Sequence, residues 1–144
     1  MLVSQILKDK ETQGVLTVTK GTTVAEAAAI LSKEKVGAVI VAEDGVHPQG
    51  ILSERDIVRE LGARGTGCLT DKVSDIMTEK LISCEPGDRA IQVLQKMTEG
   101  RFRHMPVMEG DKMVGLVSIG DVVKARLEEL SQQAESLKSM IMGY

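Results

Sequence analysis

Two short stretches carry the residue types best suited to chemistry: Ser53-Glu54-Arg55-Asp56 and Ser118-Ile119-Gly120-Asp121. Each follows a Gly-apolar-apolar triplet and precedes an apolar pair. A serine followed three residues later by an acid, just ahead of apolar residues, is the signature of a helix N-cap. The same geometry admits a second use. The first turn of a helix offers unpaired backbone N–H groups and a dipole that favour a phosphate, and a serine hydroxyl can join them. A carboxylate in that turn repels phosphate, yet it can accept the hydroxyls of a ribose, as acidic residues do in dinucleotide-binding folds. Phosphate and sugar together would mean a nucleotide. The motif alone leaves both readings open.

Other chemistry is poorly supplied. No nucleophile stands in a recognisable order with a base and an orienting group, so no catalytic residue is assigned. Cys68 and Cys84 fall in no CxxC pattern, and His47 and His104 do not complete a metal cage with them. Both thiols are expected to be inert and His47 to lie in a surface loop. With one Phe, one Tyr and no Trp, the chain is ill suited to stacking bases on aromatic platforms. Its 18 basic and 21 acidic residues are spread evenly over both halves, against a nucleic-acid or anionic-membrane partner. No apolar run approaches the ~20 residues of a spanning helix. The first residues lack a signal peptide's basic and apolar regions, so a cytoplasmic location is expected.

The elements that position the two corners come from a duplication. Shifted by 66, residues 17–41 align with 83–107; beyond one lost residue the shift becomes 65 and aligns Gly50–Asp56 with Gly115–Asp121. Upstream, Val3-Ser4-x-Ile6 is echoed by Val73-Ser74-x-Ile76. Val24, Ala27, Ala28 and Leu31, and equally Ala90, Val93, Leu94 and Met97, follow i, i+3, i+4, i+7 and predict one face of a helix. Thr23 with Glu26 reads as a capping box, Asp88 as the N-cap of the second helix, and Gly37 and Gly100 as C-terminal stops. Apolar runs at 37–42 and 104–108 lead through turns into 50–52 and 114–117, which predicts a hairpin in each copy. Met97, Met105 and Met113 read as packing. The fold class is thus α+β, two tandem β-α-β-β-α units: residues 1–65 with the N-terminal segment, 66–130, and a helical extension over 131–144. Each unit is small for a core of its own, and a pseudo-two-fold pairing is expected. Val123, Leu127, Leu130, Ala134, Leu137 and Ile141 step by 4, 3, 4, 3, 4, either a coiled-coil seam at a subunit interface or a helix packing back on its own domain.

Taken together, the ordered and duplicated stretches Asp75-Ile76-Met77-Thr78, Arg103-His104-Met105-Pro106-Val107, Gly115–Asp121 and Gly50–Asp56 resemble a tandem pair of CBS domains, a Bateman module, over roughly residues 3–130. The resemblance implies a regulatory, non-catalytic module that binds adenosine compounds in clefts between its repeats: AMP foremost, otherwise ADP, ATP, S-adenosylmethionine or NAD. It implies that Asp56 and Asp121 hold the ribose with Ser53 and Ser118. It further implies that Leu16, Ile82, Ile51, Leu116, Val36-Gly37 and Phe102-Arg103 line the adenine. Arg103-His104 matches a phosphate-reaching basic pair, where the first copy has Gly37-Ala38; Arg55 sits inside the first corner only. Arg55, Arg101 and Arg103 have the competing reading of solvated surface, and His104 that of a structural histidine. One corner then binds better, or the two prefer different ligands. A homodimer and an unidentified regulated protein are the implied partners, with no metal and no catalytic cofactor. Two alternatives stand beside this reading. One is a dimerising adaptor with empty clefts. The other is an enzyme related to inosine monophosphate dehydrogenase, for which the chain lacks a ~250-residue barrel.

Overall fold

The computed structural model describes residues 1–10 and 14–143. Its elements run α1 (Val3–Asp9), β1 (Thr17–Val18), α2 (Val24–Glu34), β2 (Ala38–Val41), β3 (Gly50–Ser53), α3 (Glu54–Arg64), α4 (Val73–Ile76), α5 (Ala90–Gly100), β4 (His104–Glu109), β5 (Lys112–Ser118) and α6 (Ile119–Met142), with a 3₁₀ turn at Gly65–Thr70. They gather into two compact units, one of residues 1–10, 83–108 and 115–143, the other of 14–82 and 109–114. The sequence repeats and the compact units therefore divide the chain differently. Each unit takes its short leading helix, α1 or α4, from the opposite copy.

In the unit of residues 14–82, β1 pairs parallel with β2, and β2 antiparallel with β3, so that Val39 faces Leu52 and Ile40 faces Ile51. Val24, Ala27 and Leu31 of α2 close one core with Val39, Val41, Leu52, Ile57 and Val73. In the other unit Cys84 forms a parallel bridge to Val107 on β4, which pairs with β5. Ala90, Val93 and Met97 of α5 close a second core with Val3, Ile6, Met105, Val107, Val117, Val122 and Ala125. The helical faces read from periodicity are the buried faces, and Met97, Met105 and Met113 are all buried.

The exchanged helices explain the glycine that opens each corner motif. A Cβ at Gly115 would stand 2.7 and 2.8 Å from the two methyl carbons of Leu7 on α1. One at Gly50 would run into Met77, just after α4 and equivalent to Leu7 by position. Gly115→Val is accordingly expected to cost about 1–3 kcal/mol by overpacking. Gly62→Ala, in α3 with open space around it, is expected to gain up to about 1 kcal/mol from helix propensity. Urea unfolding of both variants checks the contrast.

Helix ends depart from expectation in two ways. The left-handed caps of α2 and α5 are Lys35 (φ 55°) and Arg101 (φ 56°), not Gly37 and Gly100. Their N–H groups close on Leu31 O and Met97 O, and those of Val36 and Phe102 on the same carbonyls. That doubled closure compensates for the strain of a side chain in the αL region. Gly100 instead leaves room for the Phe102 ring. The N-cap of α5 is Arg89, not Asp88: the Asp88 carboxylate is spent on the Glu85 N–H at 2.9 Å, while Gln92 accepts the Arg89 N–H at 2.9 Å. Thr23 and Glu26 do form their capping box.

Helix α6 runs unbroken for 24 residues from the second corner. Val122 and Ala125 are its buried side, whereas the 4-3 stripe is exposed, Leu127 at 61% and Ile141 at 75%. Among the described residues no helix is long and apolar enough to cross a membrane.

Candidate functional site at the two strand-to-helix corners

Both corner motifs fold as strand ends running into helix N-termini, and both serines and aspartates cap. Ser53 Oγ accepts the Asp56 N–H at 3.2 Å, and Asp56 Oδ2 accepts the Ser53 N–H at 2.9 Å and the Ser53 hydroxyl at 3.1 Å. Ser118 Oγ accepts the Asp121 N–H at 3.2 Å, and Asp121 Oδ2 accepts the Ser118 N–H at 2.9 Å. A further backbone bond ties each corner to the strand beginning beside it, Glu54 N–H to Gly37 O at 2.9 Å and Ile119 N–H to Arg103 O at 2.8 Å. Gly37, Ser53 and Asp56 therefore lie together, as do Arg103, Ser118 and Asp121.

The remaining expected residues are placed as follows. Leu16 O takes the Ile40 N–H, and Ile40 pairs across the sheet with Ile51, which sets Leu16 and Ile51 on either side of β2. Val36 and Phe102 pack against the cores of their own units. Arg55, in the first turn of α3, and Arg103 are exposed; His104 is half-buried. Ile82 is 41% exposed. Both thiols are buried, and burial pushes the Cys84 thiol up to about 11, well away from reactivity at neutral pH. His47 is in an exposed loop, paired with Asp44 and, at 3.4 Å, with Asp111, which raises its pKa. Among the described residues no group of three or more His, Cys, Asp or Glu could hold a metal ion.

The two corners differ in the cation each carboxylate meets. Asp56 is nearly buried, 6% exposed, and its Oδ1 lies 3.4 Å from Arg59, one turn along the same helix. Asp121 meets Lys10, brought in by the exchanged N-terminal segment: Nζ is 2.9 Å from Oδ2 and donates to Leu116 O at 2.8 Å. Burial pulls the Asp121 pKa upward, but the Ser118 N–H and then Lys10 outweigh it, and the net shift is downward. Lys10, Asp121, Lys124, Glu128, Asp9, Ile6, Met1 and Ala125 line a hollow of about 250 Å³. Sequence reasoning missed Lys10. A signal existed, since the shift of 70 that pairs Val3 with Val73 also pairs Asp9-Lys10 with Glu79-Lys80.

The chain is similar to known proteins over most of its length. The pattern of the CBS domain matches residues 3–63 and again 73–128. A crystal structure of the CBS-domain protein ATU1752 from Agrobacterium tumefaciens is similar with a TM-score of 0.82 and 41% identity, covering 88% of this chain and 99% of that one. The CBS domain protein PAE2072 from Pyrobaculum aerophilum, solved complexed with AMP, has a TM-score of 0.77 and 27% identity, covering 92% of this chain and 99% of that one. The mitochondrial CBS domain-containing protein CBSX3 of Arabidopsis thaliana is 38% identical over 125 residues, 84% of this chain. The chain spans 61% of the length of CBSX3 and 24% of two further Arabidopsis relatives. Both hairpin-to-helix corners, Gly50–Asp56 and Gly115–Asp121, fall within the two matched stretches: the chain belongs to the CBS domain proteins and carries two CBS domains in tandem.

Proposed function

We propose that this CBS pair is a non-catalytic regulatory module that binds an adenine nucleotide at its Ser-x-x-Asp corners and so acts as a nucleotide or energy sensor. AMP is the ligand of choice, with ADP, ATP and NAD as the other members of the same chemical class. The observation that carries the reading is the half-buried Asp121 carboxylate at a helix N-terminus, lining a hollow. Among the described residues no hydrogen bond ends on its Oδ1, which leaves an acceptor for a sugar hydroxyl at the first turn of α6. The AMP complex of the similar protein PAE2072 supports the choice of ligand. Binding would favour one conformation of the module over another and thereby change its affinity for a regulated protein.

The chain is further proposed to work as a homodimer, a reading supported by the exposed stripe of Val123, Leu127, Leu130, Leu137 and Ile141 on α6. The adaptor reading has its own support, because the serines and carboxylates of both corners are already engaged as caps.

Calorimetry with AMP, ADP, ATP, NAD and adenosine, with molar mass from light scattering, separates these readings. Saturable binding of AMP by a species of twice 15.5 kDa is expected. A dimer that takes up none of the panel would leave the adaptor reading in possession, and a monomer at high concentration would end the homodimer.

A further inference from the structure

The contact between Lys10 and the Asp121 corner has a consequence for ligand choice. Lys10 comes from the opposite sequence copy, after α1, and spends its ammonium on Asp121 Oδ2 at 2.9 Å and on Leu116 O at 2.8 Å. Both acceptors lie on the corner where a sugar is proposed to bind. A carboxylate holds the two hydroxyls of a ribose most squarely when each of its oxygens accepts one. Oδ1 is open, whereas Oδ2 already takes the Ser118 N–H and the ammonium. The hollow, at about 250 Å³, is also just under the ~300 Å³ at which small-molecule sites begin. Lys10 and Asp121 are each about a quarter exposed, 28% and 25%, so the pair is close enough to solvent to open. The lysine stem is flexible, and its ammonium is a compact cation able to turn from a carboxylate to a phosphate.

We propose that Lys10 occupies the Asp121 corner in the ligand-free chain and, once displaced by the incoming sugar, becomes the cation that meets the ligand's phosphate. It thereby sets the preference for a phosphorylated nucleoside over the bare nucleoside. A bare nucleoside must break the Lys10–Asp121 pair and offers the freed ammonium nothing in return. A nucleoside monophosphate breaks the same pair and replaces it with another. The proposal rests on the nucleotide reading of the preceding subsection and adds the residue that makes the corner selective. It also makes the two corners unequal, because Lys80, the positional counterpart of Lys10, is exposed and Asp56 is met by Arg59 from its own helix.

The test is calorimetry with AMP and with adenosine on the full chain, following the binding event that Asp121→Ala removes. For Lys10→Met, adenosine is expected to bind about two- to fivefold more tightly, and the AMP-to-adenosine affinity ratio to fall about fivefold, the scale of one partly exposed ion pair gained or lost. Lys10→Arg should retain the ratio, and Lys80→Met should leave both affinities unchanged. Equal weakening of both ligands by Lys10→Met would mark a merely structural lysine, and an equal change of ratio in Lys80→Met would mark bulk charge; either overturns the proposal. Wild-type binding with an unaltered ratio in Lys10→Met overturns the role of Lys10 alone. If neither wild type nor variant binds AMP or adenosine, the nucleotide reading itself falls, and the role of Lys10 with it.

Discussion

Asp121→Ala is expected to weaken AMP by about thirtyfold or more and to remove most of the AMP-induced rise in melting temperature. Thirtyfold corresponds to about 2 kcal/mol, the scale of one hydrogen bond to a charged acceptor. The substitution takes away the acceptor proposed for the sugar and leaves Lys10 without its carboxylate. It also removes the partner of the Ser118 N–H, so a separate loss of about 1 kcal/mol of stability is expected from the broken capping box. The two effects separate in one set of melts: the cap is lost with or without ligand, whereas the nucleotide response is lost only when AMP is present. A variant that binds AMP within threefold of the wild type would show that this carboxylate is a cap and nothing more. The pH dependence carries the same signature. Because the folded-state pKa of Asp121 lies below its ordinary 3.8, its contribution to stability is complete above that value and fades as pH falls through the lowered one. Asp121→Ala should therefore flatten the acid limb of the stability curve.

Leu52→Ala is expected to lower stability by about 2–5 kcal/mol, a large share of the ~5–15 kcal/mol that holds a domain together. Leu52 is fully buried on β3, paired with Val39 across the sheet and closed over by α2, α3 and Val73. Truncating it leaves a void beside a sheet of only three strands, where few neighbours can move in to fill the space. Val58→Ala on α3, 66% exposed, is the control and should stay within about 0.5 kcal/mol of the wild type. Guanidinium midpoints of both variants measure the contrast. A small loss at Leu52 would mean that the β3 core is not the one described.

What could be read in advance was whatever the duplication writes twice. Leu31 and Met97 align at the same shift, and both are buried and accept the closing bonds of their helices. Thr23, Ser53 and Ser118 were legible because a cap needs only its own next turn. Asp88 misled because a carboxylate can serve the turn before it as well as the helix after it, and only the backbone decides which. Gly37 and Gly100 misled because the left-handed positions fell on neighbouring Lys35 and Arg101, where a doubled closure outweighs the strain. Lys10 was hidden for a different reason. Its acceptors at Leu116 and Asp121 stand over a hundred residues away, and the segment carrying it had been assigned to its own copy. Periodicity reports which face is buried and is silent on which copy supplies the neighbour.

The exchange of leading segments has a consequence for how the chain comes into being. Residues 1–10 are made before the rest of the unit they complete, which is built from 83–108 and 115–143. The chain's amino terminus ends up paired with Glu129. During synthesis Val3 and Ile6 must therefore wait, unshielded, until α5 and α6 have left the ribosome. A nascent chain halted after the first copy would hold α1 without the core it packs into and lack the Val73 that closes its own, so each copy reaches its packed form only with a segment from the other.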